Sequence, residues 1–403
     1  MRFDLNQNQI LFIGLLFSAL ISGCQKGTTS LTVTVSNPLN QERKSETISL
    51  PVKALEKVTN LYGADNVLVK DKNGQVLVSQ AVDADGNGSI DEILFQTDIN
   101  GREEKEFFLS AVQNAETQRP QSPVTTYSRF VPERTDDYTW ENDRVAFRTY
   151  GPVAQKMVEK NIAGGTLTSG MDGWLKRVNY SVIDKWYKND LAKIASYHVD
   201  HGEGYDPYHV GVSRGMGGIG VWDNDKLHVS KNFISYKKLA NGPIRTLFEL
   251  TYAPWSANGR TVQEKKNISL DLGSNLTRYE VDLAGSQQLP NITIGITLHD
   301  KKGEVKDEKQ AGWFRYWEPM DDAFLGTGIV VAPTLVQDFK DYRVTQPDQS
   351  HLLVITRPEK NKLVYYAGFG WTKSGQFKSA AEWDQYLADF ATRQSHPLQT
   401  KIK

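Results

Sequence analysis

The stretch from Tyr197 to Gly218, YHVDHGEGYDPYHVGVSRGMGG, gathers three of the chain's seven histidines with three acids, three tyrosines, one arginine and six glycines. Proton transfer needs a base that titrates near neutrality, a proton donor and a cation. His209, His201, Tyr205, Tyr208 and Arg214 supply all three within fourteen residues. The glycines between them let backbone come close to a ligand. Metal binding is the other chemistry open to these residues: His198 with Asp200, and His201 with Glu203, stand two positions apart and would share a face on a strand. That spacing matches no familiar zinc pattern, and a catalytic divalent metal stays an open reading. Paired carboxylates of a glycoside hydrolase would have to be Glu203 and Asp206, which their spacing does not support.

Four further motifs carry chemistry-bearing residues. In DADGNGSID, Asp83, Asp85, Asn87 and Asp91 match the oxygen ligands in the first nine positions of a calcium loop, with Gly88 at the turn. Position twelve is Leu94 where a bidentate acid is required, and the flanks read as strands, so the expectation is a structural calcium in a hairpin or a polar turn that binds nothing. SGMDGWLKRVNY places Trp174 beside Lys176 and Arg177, a combination that holds an anionic sugar by stacking and charge or closes a strand edge. DDYTWENDRVAFRTYGP reads as a second charged cluster or as an ion-pair corner. GWFRYWEP sets four aromatics around Arg315 and Glu318, as a sugar platform or as core.

The elements that must position these residues are mostly strands. LTVTVSN from Leu31 alternates apolar and polar, and VLVKDKNGQVLVSQ (Val67 to Gln80) carries an Asn73-Gly74 turn. In GPIRTLFELTY, period two puts Arg245, Leu247, Glu249 and Thr251 on one face and Thr246, Phe248, Leu250 and Tyr252 on the other. Such a strand suits a sandwich whose concave face meets a polar ligand. The best helix is Ser379 to Arg393, with a serine cap. QRPQSP (Gln118 to Pro123) reads as a linker or exposed loop. The 47 basic and 48 acidic side chains nearly cancel, which argues against a nucleic-acid partner.

The N-terminus reads as a targeting segment. The apolar run Ile10 to Ile21 is short for a bilayer span and ends in Ser22-Gly23-Cys24, the pattern of a bacterial lipoprotein signal lipidated at Cys24. Cys24 is the chain's only cysteine, so disulfides, thiolate metal sites and a cysteine nucleophile are excluded. The expected division is a signal peptide over 1–23, a tether over 24–30, a small β-domain over 31–135 and a catalytic β-sandwich over 136–395. The expected contact with the membrane is through the lipid alone, on the periplasmic face of the outer membrane, with the cell surface as the other option.

WENDRVAFRTYGP, SGMDGWLKRVNY, the Tyr197–Gly218 stretch, NGPIRTLFELTY and YYAGFGWTKSG, in that order, resemble the domain-of-unknown-function family 4861; the DADGNGSIDEILFQ loop is similar to that family's aspartate-rich turn. The resemblance covers about Leu31 to Arg393. It implies a protein of Bacteroidota polysaccharide-degradation clusters that dehydrates oligosaccharides in ulvan breakdown, beside polysaccharide lyases and unsaturated-glucuronyl hydrolases. Water would leave a non-reducing-end glucuronate or iduronate to give a 4,5-unsaturated uronate. The fold expected is mainly β with few helices: a large supersandwich of mutarotase or lyase type behind a small β-domain.

Chemistry then assigns roles. The C5 proton is hardly acidic while the sugar carboxylate keeps its full charge, so a cation must stabilise the enolate-like transition state. Arg214 is the first candidate, then Arg177 or Lys176; His209 is the base, then His201; Tyr205, Tyr208 or the other histidine protonates the departing hydroxyl. His198, Trp174, Lys176, Arg177, Arg245, Glu249 and Arg315 are expected to bind the acidic oligosaccharide. No cofactor is required by this scheme. A non-catalytic glycan-binding lipoprotein is the alternative from a different class; it explains the tryptophans but not the clustered histidines.

Overall fold

Alternation carries the first strand. In Ser30–Ser36, Leu31, Val33 and Val35 are buried and the residues between them are partly open. The computed structural model describes residues 30–285 and 289–403, so Cys24 and the apolar run before it lie outside the described residues. Ser30–Ser36 pairs with Glu104–Ala111 on one side and with the C-terminal strand Gln399–Ile402 on the other; Val67–Lys70 completes a four-stranded antiparallel sheet. Arg43–Pro51, Glu92–Ile99 and Ser79–Val82 form a three-stranded sheet. Val33, Val35, Ile48, Leu50, Phe95 and Leu109 share one core, each buried side chain contributing about 2 kcal/mol. Helix α1, Glu56–Tyr62, covers it with Val58.

This small domain starts where expected but ends earlier than residue 135 and gains a strand from the end of the chain. Tyr127–Val131 pairs with Asp137–Glu141 and belongs to the larger unit, so the crossing lies in the segment holding Gln118 to Pro123 rather than at residue 135. The last strand of the chain returns to the small domain after the large one is complete. Both features are long-range hydrogen bonding, which local pattern does not encode.

The larger unit is a β-sandwich. One layer is a nine-stranded antiparallel sheet that runs from Phe233–Ala240 through Arg245–Tyr252, Arg260–Asp271, Leu276–Ala284, Lys362–Trp371, Ala323–Val331 and Trp313–Met320 to Glu304–Glu308, with Trp255–Ala257 paired beside Arg260–Asp271. Two five-stranded sheets face it. The first runs Gly204–Tyr205, Asp172–Lys176, Ala146–Thr149, Asp137–Glu141, Tyr127–Val131; the second runs Lys226–His228, Met216–Asp223, Ile292–Thr297, His351–Thr356, Val336–Tyr342. A parallel bridge between Met171 and Gly215 joins them. Phe248, Leu250, Tyr252, Tyr279, Phe369, Phe147 and Ile294 belong to the single core between the layers. The period-two reading of Arg245–Tyr252 is reproduced: Thr246, Phe248, Leu250 and Tyr252 are buried, and Arg245, Glu249 and Thr251 stay partly open. Leu247, on the outer face, packs with Val82 and Leu94 of the small domain.

The outer faces are covered by helices. Helix α2 is Pro152–Glu159 and α3 is Ile183–Leu191. Helix α4, Ala380–Ser395, is capped by Ser379, whose Oγ accepts the Glu382 N–H at 3.3 Å. It lies on the long sheet through Trp383 and Leu387, over Gly326 and Gly328. A Cβ on Gly326 would stand 2.5 Å from the Trp383 ring, so a side chain there would lift the helix. Helix α3 starts against a carboxylate from the neighbouring strand: Glu141 accepts the Val182 and Ile183 N–H groups at 2.9–3.1 Å, where the helix dipole favours negative charge.

Candidate functional site

The Tyr197–Gly218 stretch does not form one cluster. It crosses the sandwich and delivers its side chains to three places. The innermost is Arg214, fully buried, whose guanidinium donates to Ser169 Oγ and Thr168 Oγ1 at 2.8 Å and to the Ile219 carbonyl at 3.3 Å. Burial brings its pKa down to about 10. It is a core residue and cannot meet a substrate carboxylate, which corrects its expected role.

The second place is the outer face of the first five-stranded sheet. Register sets Arg148 opposite Asp172, and the guanidinium lies 2.6 Å from Asp172, 2.7 Å from Asp206 and 3.9 Å from Asp137. It also stands 5.4 Å above the Trp174 ring and donates to Tyr197 OH at 3.3 Å. Three buried carboxylates around one cation are electrostatically over-supplied, and the surplus is relieved by holding a proton. Burial, then the charge on Asp172, pushes Asp206 well above the usual carboxylate range, and burial takes Asp137 up to about 6. Asp206 Oδ1 and Asp137 Oδ1 have no hydrogen-bond partner. His198 stands at the exposed side of this node; its Nδ1 lies 2.9 Å from the Asp206 carbonyl, which fixes the proton on Nδ1 and leaves Nε2 to solvent.

The third place is the rim where the two layers end, and here distant segments meet. His209 is exposed, with Nε2 3.3 Å from Asp348. Its carbonyl lies 3.0 Å from Nε2 of His299, whose Nδ1 faces both oxygens of Glu318 at 2.8 and 2.9 Å. The His209 carbonyl can only accept, so Nε2 of His299 donates, and Nδ1 shares a proton with the buried Glu318, whose own pKa burial raises. Burial opposes charge on the ring, but Glu318 outweighs it and holds the His299 pKa above its ordinary value. His299 sits at φ 40°, a left-handed conformation costing about 1–3 kcal/mol that these bonds sustain. The Tyr208 ring meets His299 edge-on at 4.5 Å, and its hydroxyl is buried without a partner.

Further along the rim, Tyr205 OH donates to Asp321 at 2.5 Å. Glu318 and Asp321 are three residues apart, about 10 Å along an extended chain, so the two tyrosines and the His209–His299 pair border one rim at the scale of a disaccharide. The Trp371 ring lies 5.9 Å from that of Tyr205, and the Arg177 guanidinium stands 5.8 Å over Trp371. Arg177 is exposed and anchored to Asp200 at 2.6 Å. Trp371 is buried and Tyr205 nearly so, so what this end of the rim offers an acidic sugar is the Arg177 cation held over Trp371, not a stacking face.

The other expected binding residues are placed elsewhere. Trp174 is buried among Trp186, Tyr187 and Tyr197. Lys176 is buried against Glu141 at 2.9 Å and the Asn142 and Tyr180 carbonyls, a structural pair under α3. Arg315 is buried and ties α4 to the sheet through Asp384 at 2.8 Å. Arg245 makes a two-pronged bond to Asp271 at 2.6 and 2.8 Å, and Glu249 pairs with Lys265 at 3.0 Å, both on the outer face of the long sheet. His201 is exposed beside a small cleft lined by Trp186 and Val199, apart from the rim contacts of His209. Glu203 is engaged by Lys185 at 2.6 Å and by Trp186 Nε1 at 3.2 Å, whereas Asp206 faces Arg148, so they form no hydrolytic pair. Asp348, His299, Asp321 and Trp371 are not singled out by sequence reasoning as site residues, and Glu318 enters it only as part of the GWFRYWEP platform. Glu318 and His299 were visible as the polar ends of GWFRYWEP and NITIGITLH, but nothing local joined them.

Among the described residues, Asp83, Asp85 and Asp91 are gathered closely enough to hold a metal, with ligand atoms all within 4.8 Å of one another. Asp83 accepts the Gly86, Asn87 and Gly88 N–H groups at 2.7–3.1 Å, which shapes the loop around its carboxylate. An all-oxygen donor set fits a hard cation such as calcium. Lys237 from the long sheet donates to the Asp85 and Gly86 carbonyls at 2.7 and 2.9 Å, so the loop also joins the two domains.

Comparison with known proteins adds three findings. A family model described as a domain of unknown function, DUF4861, matches residues 35–400. A protein of Formosa agariphila described as uncharacterized protein P7 is 45% identical over 389 residues, which is 96% of this chain and 97% of that protein. A crystal structure of a protein in the glycosyl hydrolase family 38 from Enterococcus faecalis matches 93% of this chain with a TM-score of 0.51 at 10% identity. The chain spans about half of that structure's length, 47%, so the likeness concerns the β-rich fold.

Proposed function

Taking as premise that this chain belongs to the DUF4861 family, we propose that it is a hydro-lyase that removes water from a uronate at the end of an acidic oligosaccharide. The observation that carries the reading is the His209–Asp348 pair, its main chain pinned by His299, on a rim bordered by the largely buried Tyr205 and the exposed Arg177. Asp348 accepts from Nε2 of His209 and leaves Nδ1 with its lone pair for substrate.

The step balances without a redox partner. His209 Nδ1 takes the C5 proton; the C5–H electron pair becomes the C4=C5 double bond; the C4–O bond breaks towards oxygen, which takes the Tyr205 proton as that hydroxyl leaves its bond to Asp321, and departs as water. Solvent then returns the proton from His209 to Tyr205. Arg177 offsets the charge that grows on the sugar carboxylate, the contribution that usually dominates such reactions. Of the three cations that sequence offered for this work, burial removes Arg214 and Lys176 and leaves Arg177.

Ulvan-type glucuronate or iduronate is the proposed substrate, with lyases upstream and an unsaturated-glucuronyl hydrolase consuming the product. Lipidation at Cys24 and attachment to the outer membrane belong to the same proposal; labelled palmitate should enter the wild-type chain and not Cys24→Ser. The enzymatic reading is tested by incubating the purified protein with uronate-ended oligosaccharides and following mass. Loss of one water per chain supports it. Cleavage would point to a hydrolase or lyase, and binding without mass change to a glycan-binding lipoprotein.

A further inference from the structure

Between the small domain and the outer face of the long sheet lies a cleft of about 660 Å³, bordered by the end of α4. Its floor is polar because the outward positions of Arg260–Asp271 carry Asn267 and Ser269, and Tyr366 of the next-but-one strand stands beside them. Most of its charges are answered. Arg245 is paired with Asp271, and Arg278 with Glu280 at 2.7 Å. One end differs: Arg43 and Arg393 both turn to Glu46, at 3.7 and 3.1 Å. A single carboxylate answers two guanidinium groups there. Arg43 is buried and donates through a terminal nitrogen to the His396 carbonyl, while its Nε has no acceptor.

A buried donor without a partner costs about 1–3 kcal/mol, and a surplus cation beside it costs more. An anionic group beside Arg393 in the cleft offsets the surplus charge, although it does not reach the buried Nε of Arg43. The hydroxyl and amide side chains of Ser269 and Asn267 suit the rest of a polyhydroxylated ligand, and the volume falls within the range of small-molecule sites.

We propose that this interdomain cleft is a second carbohydrate-binding site, in which Arg393 takes the carboxylate or sulfate of an acidic sugar unit, Arg43 behind it adds charge without touching the ligand, and Asn267 and Ser269 take its hydroxyls. The ligand class rests on the acidic-oligosaccharide reading of the rim, but the cleft and the rim lie on opposite faces of the long sheet and can fail separately. The cleft binds and positions; the chemistry stays at the rim.

The test is calorimetric titration of the purified chain with a sulfated, glucuronate-ended tetrasaccharide and with its desulfated, carboxyl-reduced counterpart. Ser269→Trp fills the cleft and Arg393→Glu reverses its charge; both lie outside the rim. Each is expected to weaken binding of the acidic tetrasaccharide at least tenfold while keeping wild-type melting behaviour and wild-type turnover of a short substrate. His209→Ala is expected to bind as the wild type does. Wild-type affinity in both cleft variants overturns the proposal, as does equal affinity for the neutral counterpart. Cleft-dependent binding with no dehydration by the wild type would sink the rim reading and leave the cleft standing.

Discussion

Nε2 of His351 accepts the Arg214 N–H at 3.1 Å, and its Nδ1 donates to the Gln349 carbonyl at 2.9 Å, so the buried ring is held neutral. Burial takes its pKa down to about 4. The ordinary value is about 6.5, so the stability this ring contributes is complete above that pH and drains away as pH falls towards about 4, on the order of 3 kcal/mol. His299 runs the other way: its raised value makes the Glu318 clamp strongest below about 6.5 and weaker as pH climbs through the folded value. Urea midpoints measured against pH should therefore show an acid-side loss that His351→Gln removes; an unchanged slope would contradict the neutral ring. At this scale the sequence showed residue types and concealed partners. His209 meets Asp348 across 139 positions and Tyr205 meets Asp321 across 116, and no local pattern announces either.

Helix α3 decides what the strand Asp172–Lys176 can do. Alternation puts Asp172, Trp174 and Lys176 on one face, and that face would be open to substrate if nothing lay on it. Ile183, Trp186 and Tyr187 of α3 pack over Trp174 instead, and Glu141 binds the helix N-terminus and Lys176 at once. Trp174 and Lys176 look ligand-facing in the sequence because this nine-residue helix has a polar face that dilutes its apolar one. Arg177, one residue further, points the other way and is exposed. Glu141→Ala would leave a buried ammonium unpaired and uncap α3, at a cost of about 3–5 kcal/mol. Equilibrium unfolding in urea measures it, and a loss below 1 kcal/mol would mean that the pair is not buried as described.

Across the whole molecule, what was legible was the alternating rhythm of strands, the polar linker near Gln118 and the capped C-terminal helix, because each is a local pattern of burial. The assignment of Tyr127–Val131 to the large unit and the return of Gln399–Ile402 to the small one were not, since both are set by pairing with remote strands. The Asp83–Asp91 loop binds the domains together through Lys237, so calcium held by Asp83, Asp85 and Asp91 should stabilise the docked arrangement. Millimolar calcium is expected to raise the melting temperature by several degrees and magnesium much less, with no rise for Asp85→Ala/Asp91→Ala; an equal response in that variant would exclude the loop. The central claim is that the rim runs an elimination with His209 as base. Its most direct measure is the ultraviolet absorbance of the conjugated alkene formed from a uronate-ended oligosaccharide by the wild type, His209→Ala and His198→Ala. The account predicts steady alkene formation by the wild type, a fall of at least a hundredfold in His209→Ala, in line with the typical contribution of a general base, and no more than a few-fold change in His198→Ala. Wild-type turnover in His209→Ala, or no alkene from the wild type, would contradict it.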